Sequence, residues 1–199
     1  VNASAFYNKW KDLQGTGTDP NGNFYRTTLG DVSTRGVEVE ARFVPRGGFE
    51  IFGQLSLLDT QYDTVTFNQV ALCGNLATGG RKLELKMSPP YSYQAGALYS
   101  ASVPGERGRV VIGGTISGKG RFWHTSCNAD VGSEDGFKLI DASIAYESKD
   151  GKWRLTAAGE NLADEKYLIG SFAVGGLRMS SGYFNPPRRF GLTLRYSHN

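Results

Sequence analysis

Apolar and polar residues alternate in step over long stretches of this chain. Val37, Val39, Ala41 and Phe43 fall on one side of an extended segment and Glu38, Glu40 and Arg42 on the other, the period-two signature of a strand with one greasy and one wet face. Phe49, Ile51, Leu55 and Leu57 stand in the same way against Glu50, Gln54 and Ser56. Tyr91, Tyr93, Ala95, Ala97 and Tyr99 oppose Ser92, Gln94 and Ser100, and Ile140, Ala142, Ile144 and Tyr146 oppose Asp141 and Ser143. Only the run Val110, Val111, Ile112 leaves the assignment of faces open. The pattern predicts eight strands, over 1–14, 33–45, 48–63, 88–103, 108–118, 137–147, 152–161 and 187–196. Most exceed the common length of about 5 to 6 residues, and all reach or approach the roughly 9 to 11 residues that a tilted strand needs to cross a bilayer.

The links between these strands alternate in length. Those at 45–48, 104–108 and 148–151 are short and rich in Gly, Pro and charge, as tight turns require. Those at 15–32, 64–87, 119–136 and 162–186 are long. An outer-membrane barrel has this rhythm, short periplasmic turns and long extracellular loops. The expected fold is all-β: one antiparallel meander of eight strands, with the long links at one end and the short turns and C-terminus at the other. An arc of a larger transmembrane barrel would leave its first and eighth strands as open edges. A soluble β-sandwich with its loops at one end is the competing fold.

Composition agrees with strands: 27 Gly, 10 Tyr and 11 Phe favour sheets and turns over helices. The longest apolar run, 70–73, is far short of the about 20 residues of a spanning helix. A mean hydropathy of -0.35 does not oppose a membrane barrel, whose strands alternate lipid-facing and lumen-facing residues. The net charge of +3, without a basic cluster, gives no sign of a nucleic-acid partner. Residues 1–10 lack the basic start and apolar run of a signal peptide, so the expectation is a mature form or a chain that begins mid-protein.

Three motifs carry a family resemblance. Thr34-Arg35-Gly36-Val37-Glu38-Val39-Glu40 resembles the "srGvElE" strand of TonB-dependent receptors, Asn161-Leu162-Ala163-Asp164-Glu165-Lys166-Tyr167 is similar to their "NLtDkeY" motif, and 185–196 resembles their closing strand. The resemblance implies a 22-stranded type of barrel, plugged by an N-terminal domain, in the outer membrane of a Gram-negative bacterium. It further implies import of a scarce small-molecule nutrient, such as an iron-siderophore, cobalamin or a glycan, energised by the TonB complex. Residues 1–199 would be the C-terminal part of that barrel; no plug and no TonB box are recognisable, so the TonB complex would act through a missing N-terminal region. The other implied partners are outer-membrane lipid and the barrel assembly machinery.

In the closing strand, Arg189, Gly191, Leu194 and Tyr196 fit the spaced pattern of a barrel-assembly signal: a polar residue, a glycine and two apolar or aromatic residues. Period two sets Phe190, Leu192, Leu194 and Tyr196 on the lipid face. Ser197, His198 and Asn199 follow Tyr196, whereas the family usually ends on an aromatic residue.

Both cysteines, Cys73 and Cys127, fall in long links that follow the third and fifth strands, in an oxidising setting. A disulfide between them, with Cα atoms about 4.4 to 6.8 Å apart, is expected; two unpaired thiols are the alternative. His124 lies near Cys127 but has no second histidine at ligand spacing, which makes it a rim residue and no metal ligand. Neither a nucleophile elbow nor a phosphate-binding glycine loop occurs. No catalytic residue and no cofactor are therefore expected, and ligand-contacting residues stay unassigned. The 161–167 segment is expected to turn or form a short helix capped by Asp164, and the Gly- and aromatic-rich 162–186 link to be a rim loop or disordered. Two other functions compete: a self-contained eight-stranded outer-membrane barrel serving as anchor or adhesin, and a soluble carbohydrate-binding β domain.

Overall fold

The computed structural model describes residues 1–18, 23–66, 83–105, 107–128, 130–174 and 179–198. Eight strands form one antiparallel sheet: β1 (Asn2–Thr18), β2 (Phe24–Phe43), β3 (Phe49–Tyr62), β4 (Tyr91–Ser102), β5 (Gly108–Lys119), β8 (Phe137–Ser148), β9 (Trp153–Glu160) and β12 (Arg189–Tyr196). They lie side by side in chain order, without crossover, and β1 and β12 are the edges. Two small ribbons sit in the long links, β6 (Phe122–Trp123) with β7 (Ser133–Glu134), and β10 (Leu168–Val174) with β11 (Met179–Phe184).

The short turns pin the register. Gly151, with φ of 69°, closes the β8–β9 turn by donating its N–H to Ser148 O at 2.9 Å, a left-handed position at which glycine has no Cβ penalty. Gly108, with φ of 139°, starts β5 so close to β8 that a Cβ there would stand 2.1 Å from Glu147 O. Pairing then runs unbroken from Gly108↔Ser148 to Lys119↔Phe137. This register settles the open strand: Ile112 pairs with Tyr99 and Ile144 on one face, whereas Val111 pairs with Ser100 and Ala145 on the other.

Among the described residues no second layer covers the sheet. Of the buried apolar residues among those described, only Ala145 belongs to a mid-sheet position; Leu29, Val32, Leu83, Phe122, Trp123 and Leu168 all lie at the end that carries the long links. A sandwich would bury one whole face of every strand, so the soluble two-sheet alternative is not what this chain forms.

One local expectation is corrected, and two open alternatives are decided. β2 begins at Phe24, and with β1 it forms a long ribbon through much of the expected 15–32 loop. A ribbon that projects past the sheet has water on both sides, so no alternation announces it. The 161–167 segment is no helix: Asn161 and Asp164 both have positive φ, 51° and 55°, and Asp164 Oδ1 accepts the Arg188 N–H at 2.9 Å instead of capping a helix. The last long link holds the β10–β11 hairpin, so its described part is ordered pairing and no disordered loop.

Candidate functional site

The two faces of the sheet are its working surfaces. Directly paired residues share a face in an antiparallel sheet, so the register traces each face across the strands. One face carries Val37 with Leu57, Val39 with Leu55, Ile51 with Ala97, Ile112 with Ile144, and Leu155 with Leu194. These side chains are exposed, up to 63% for Leu194, and Phe190 on the same face reaches 75%. A contiguous apolar band of this extent is rare on a soluble monomer, and hydrocarbon accepts it where water does not.

Both ends of the band are marked. At the end with the short turns, Phe49 and Tyr99 lie 4.4 Å apart by ring centroid and Trp153 and Tyr196 4.6 Å apart. Tyr146 donates its hydroxyl to Arg107 O at 2.6 Å. Rings with an apolar body and a polar tip suit a membrane–water interface. At the other end the same face turns charged, with Arg35 on Asp59 at 2.7 Å and Lys9 on Asp63 at 3.7 Å. From Phe43 to Arg35 on β2 is about 27 Å along the strand, or about 21 Å along the normal at a tilt of about 40°.

The opposite face is concave and mostly polar, and carries Glu38, Glu40, Arg42, Glu50, Gln54, Asp141, Arg154 and Arg195. Ser4, Glu38, Gln54, Gln94, Ser117 and Lys119 line a concavity of about 580 Å³. Ion pairs cross neighbouring strands: Arg42 with Glu50 at 2.7 Å, Arg109 with Glu147 at 2.7 Å, and Arg189 with Glu160. Gln54 donates to Gln94 at 3.0 Å. Large side chains on this face lie over glycines, Phe6 over Gly36, Phe52 over Gly96 and Leu98 over Gly113, which keeps them flat against the wall.

Above the band, at the long-link end, the chain builds a small packed cap. Leu29 and Leu83 form its centre with Leu13, Tyr62 and Cys127 around them. Asn128, buried, clamps residue 84 by accepting the Glu84 N–H at 2.6 Å and donating to Glu84 O at 3.0 Å. Trp123 Nε1 donates to Glu84 Oε2 at 3.1 Å. Asn161 and Asn185 together hold the turn after β9, each donating to Glu165 O, at 2.8 and 2.9 Å. The Tyr167 ring stacks on Phe137 at 3.7 Å, where burial, and then Glu134 and Asp141, push its hydroxyl pKa up.

The residues singled out in the sequence fall as follows. Arg189 sits on the concave face against Glu160, and Gly191 on the same face, where a Cβ would meet nothing within 4 Å. Leu194 and Tyr196 point to the apolar side, opposite Leu155 and Trp153. Cys73 lies outside the described residues; Cys127 packs at the cap. The ring Nε2 of His124 lies 3.0 Å from Leu168 O, and among the described residues no group of side chains could hold a metal ion. The clamps made by Asn128, Asn161 and Asn185 were not foreseen. An asparagine beside a turn was their only signal.

Residues 1–162 match the family model described as TonB dependent receptor-like, beta-barrel. The fold is similar to the ferric yersiniabactin uptake receptor FyuA from Yersinia pestis, at a TM-score of 0.75 and 16% identity over 98% of this chain and 27% of that one. It is similar also to BauA, the ferric preacinetobactin receptor from Acinetobacter baumannii, at 0.68 and 18% over 98% and 26%. A third is the copper transporter OprC, at 0.65 and 16% over 98% and 27%. This chain thus spans about a quarter of the length of these solved structures.

Proposed function

Because the chain belongs to the TonB-dependent receptor-like β-barrel family, we propose that it is the C-terminal wall of an outer-membrane receptor that imports a scarce nutrient into a Gram-negative cell. Residues 1–199 supply eight strands of a larger barrel. A plug in the lumen and a segment contacting the TonB complex belong to the whole receptor, and the barrel assembly machinery inserts it. The role is transport and not catalysis.

The observation that carries this reading is the open two-faced sheet. An apolar band on one side, a polar concavity on the other, and β1 and β12 left as separate edges fit an arc of a wide barrel. A closed eight-stranded anchor would pair those edges, so the arc favours the receptor over the anchor or adhesin.

Ferric siderophores are the favoured substrate class, because FyuA and BauA are receptors for such complexes; a copper transporter in the same group makes other metals the next candidates. The test is uptake of radiolabelled iron from a panel of ferric siderophores by iron-starved cells that express the whole receptor. Accumulation that disappears when TonB is deleted is expected. A receptor found in the soluble fraction, or uptake indifferent to both receptor and TonB, would overturn the proposal.

A further inference from the structure

The apolar face is not level. Ala97, Gly114, Ala142 and Gly159 make one row of small residues across β4, β5, β8 and β9, and Gly118 lies further out along β5. Bulky groups lean in from both sides. From β4 the Tyr93 ring reaches over Gly118, where a Cβ would stand 2.8 Å from its hydroxyl oxygen. From the other side Leu162 and Phe190 cover Gly159, at 2.6 and 3.1 Å from such a Cβ. Between them runs a furrow floored by Ile140 and Ala142, and the directly paired Ile112 and Ile144 close it toward the short turns.

Two cations stand at the outer end of the furrow. Lys138, exposed, pairs directly with Gly118 on this face. Arg188 donates from Nη1 to Leu162 O at 3.2 Å, and the Leu162 N–H donates to Ile140 O at 2.8 Å, so both side chains come to the head of the furrow. Among the described residues neither has an ion-pair partner, since Asp164 and Asp141 accept the Arg188 and Asn161 N–H groups and Asp135 pairs with Arg121. Along β1 to β3 the same border is neutralised, Arg35 by Asp59 and Lys9 by Asp63. An apolar furrow headed by two unanswered cations suits an amphiphile with an anionic head. A headgroup phosphate accepts from an ammonium and a guanidinium, and a hydrocarbon chain in the furrow leaves water. We infer that this border holds a phosphorylated lipid of the outer leaflet, its phosphate on Lys138 and Arg188 and an acyl chain along Ile140 and Ala142. This rests on the reading of the apolar face as the membrane face of an outer-membrane barrel. The furrow is continuous with the apolar band, so its occupant comes from the bilayer and not from solution.

The test gives diphosphoryl lipid A to the whole receptor in mild detergent and reads the bound fraction by native mass spectrometry. Wild type should retain it at least tenfold better than Lys138→Gln combined with Arg188→Gln, with the heat-modifiable folded fraction unchanged. Lys138→Gln alone leaves the Arg188 contact to Leu162 in place and should still lose retention severalfold. Ala142→Trp, which fills the floor of the furrow, should lower it as well. Lipid A stripped of its phosphates should bind wild type no better than the double variant binds the intact lipid. No retention by wild type, retention indifferent to the cations or to the phosphates, or full retention by Ala142→Trp overturns the inference. Failure of the receptor reading shows separately, as wild-type protein in the soluble fraction or uptake that does not depend on TonB.

Discussion

The ring of Phe6 lies across Gly36, its direct partner on β2, so that a Cβ on Gly36 would stand 2.5 Å from Phe6 Cζ and 2.6 Å from Leu57 O. Gly36→Ala should therefore cost about 1 to 3 kcal/mol through overpacking, read as a lower urea midpoint of the assembled protein in micelles. Phe6→Ala added to Gly36→Ala should restore part of the loss. The carbonyl contact keeps the rescue incomplete. Equal losses in the single and double variants would refute the ring as the cause.

Val39 and Glu40 are neighbours in sequence on opposite faces, and Val39 lies midway between Phe43 and Arg35 along the band. Arginine at Val39 should cost about 2 to 4 kcal/mol, the penalty near a bilayer midplane. Glu40→Arg faces the wet side and should assemble at nearly wild-type yield. Fractionation of outer membranes distinguishes them, and equal yields would remove the basis for assigning the faces.

Tyr196 closes the aromatic girdle on Trp153. If 189–196 serves as the assembly signal, Tyr196→Ala should lower the heat-modifiable fraction severalfold and Tyr196→Phe should preserve it. Comparable assembly of the two would assign the ring a packing role alone.

Cys73 and Cys127 are proposed as a bridge. Closing a loop of about 55 residues restricts the unfolded chain by about 4 kcal/mol in the chain-entropy model. Exported protein should then yield no alkylated thiol until reduced, and Cys127→Ser should expose Cys73 to alkylation. Two reactive thiols in unreduced protein would reject the bridge.

Asp150 lies in the β8–β9 turn, where the Ser148 hydroxyl at 2.6 Å and next the Lys152 N–H at 3.0 Å hold its carboxyl below the usual carboxylate range. A lowered folded pKa contributes stability above the ordinary carboxylate pKa, and that contribution is lost as pH falls through the folded value. The Lys152 amide resonance should titrate with a midpoint below that of a free aspartate and cease to do so in Asp150→Asn. A midpoint at or above the free value would contradict the hydrogen bonds.

Where lipid or lumen decides each residue, the strands were legible. All eight were located to within a few residues except at the outer ends of β1 and β2, because period two ends where the apolar band ends. The outer ribbon is also interrupted near Asp12, whose φ of 51° accompanies a register shift between Trp10 and Leu13. At Asn161 the turn was among the expected alternatives, but its supports were not legible, because the Asn161 and Leu162 N–H groups donate to Asp141 Oδ1 and Ile140 O on a neighbouring strand. Arg154 and Arg195 were visible as lumen residues, but only the register makes them neighbours.

The apolar face is finished with rings at one end and with the Arg35–Asp59 pair at the other, about 21 Å apart along the normal. That height is a sorting device. In a thicker bilayer of about 30 Å, the charged pair or the rings would be drawn into hydrocarbon, and each ångström of mismatch costs a fraction of a kcal/mol. A bacterial outer membrane, thinner than average, fits without strain. In the outer-membrane setting proposed for this wall, the spacing of these two borders thus gives it a preferred address even before any receptor or chaperone reads its sequence.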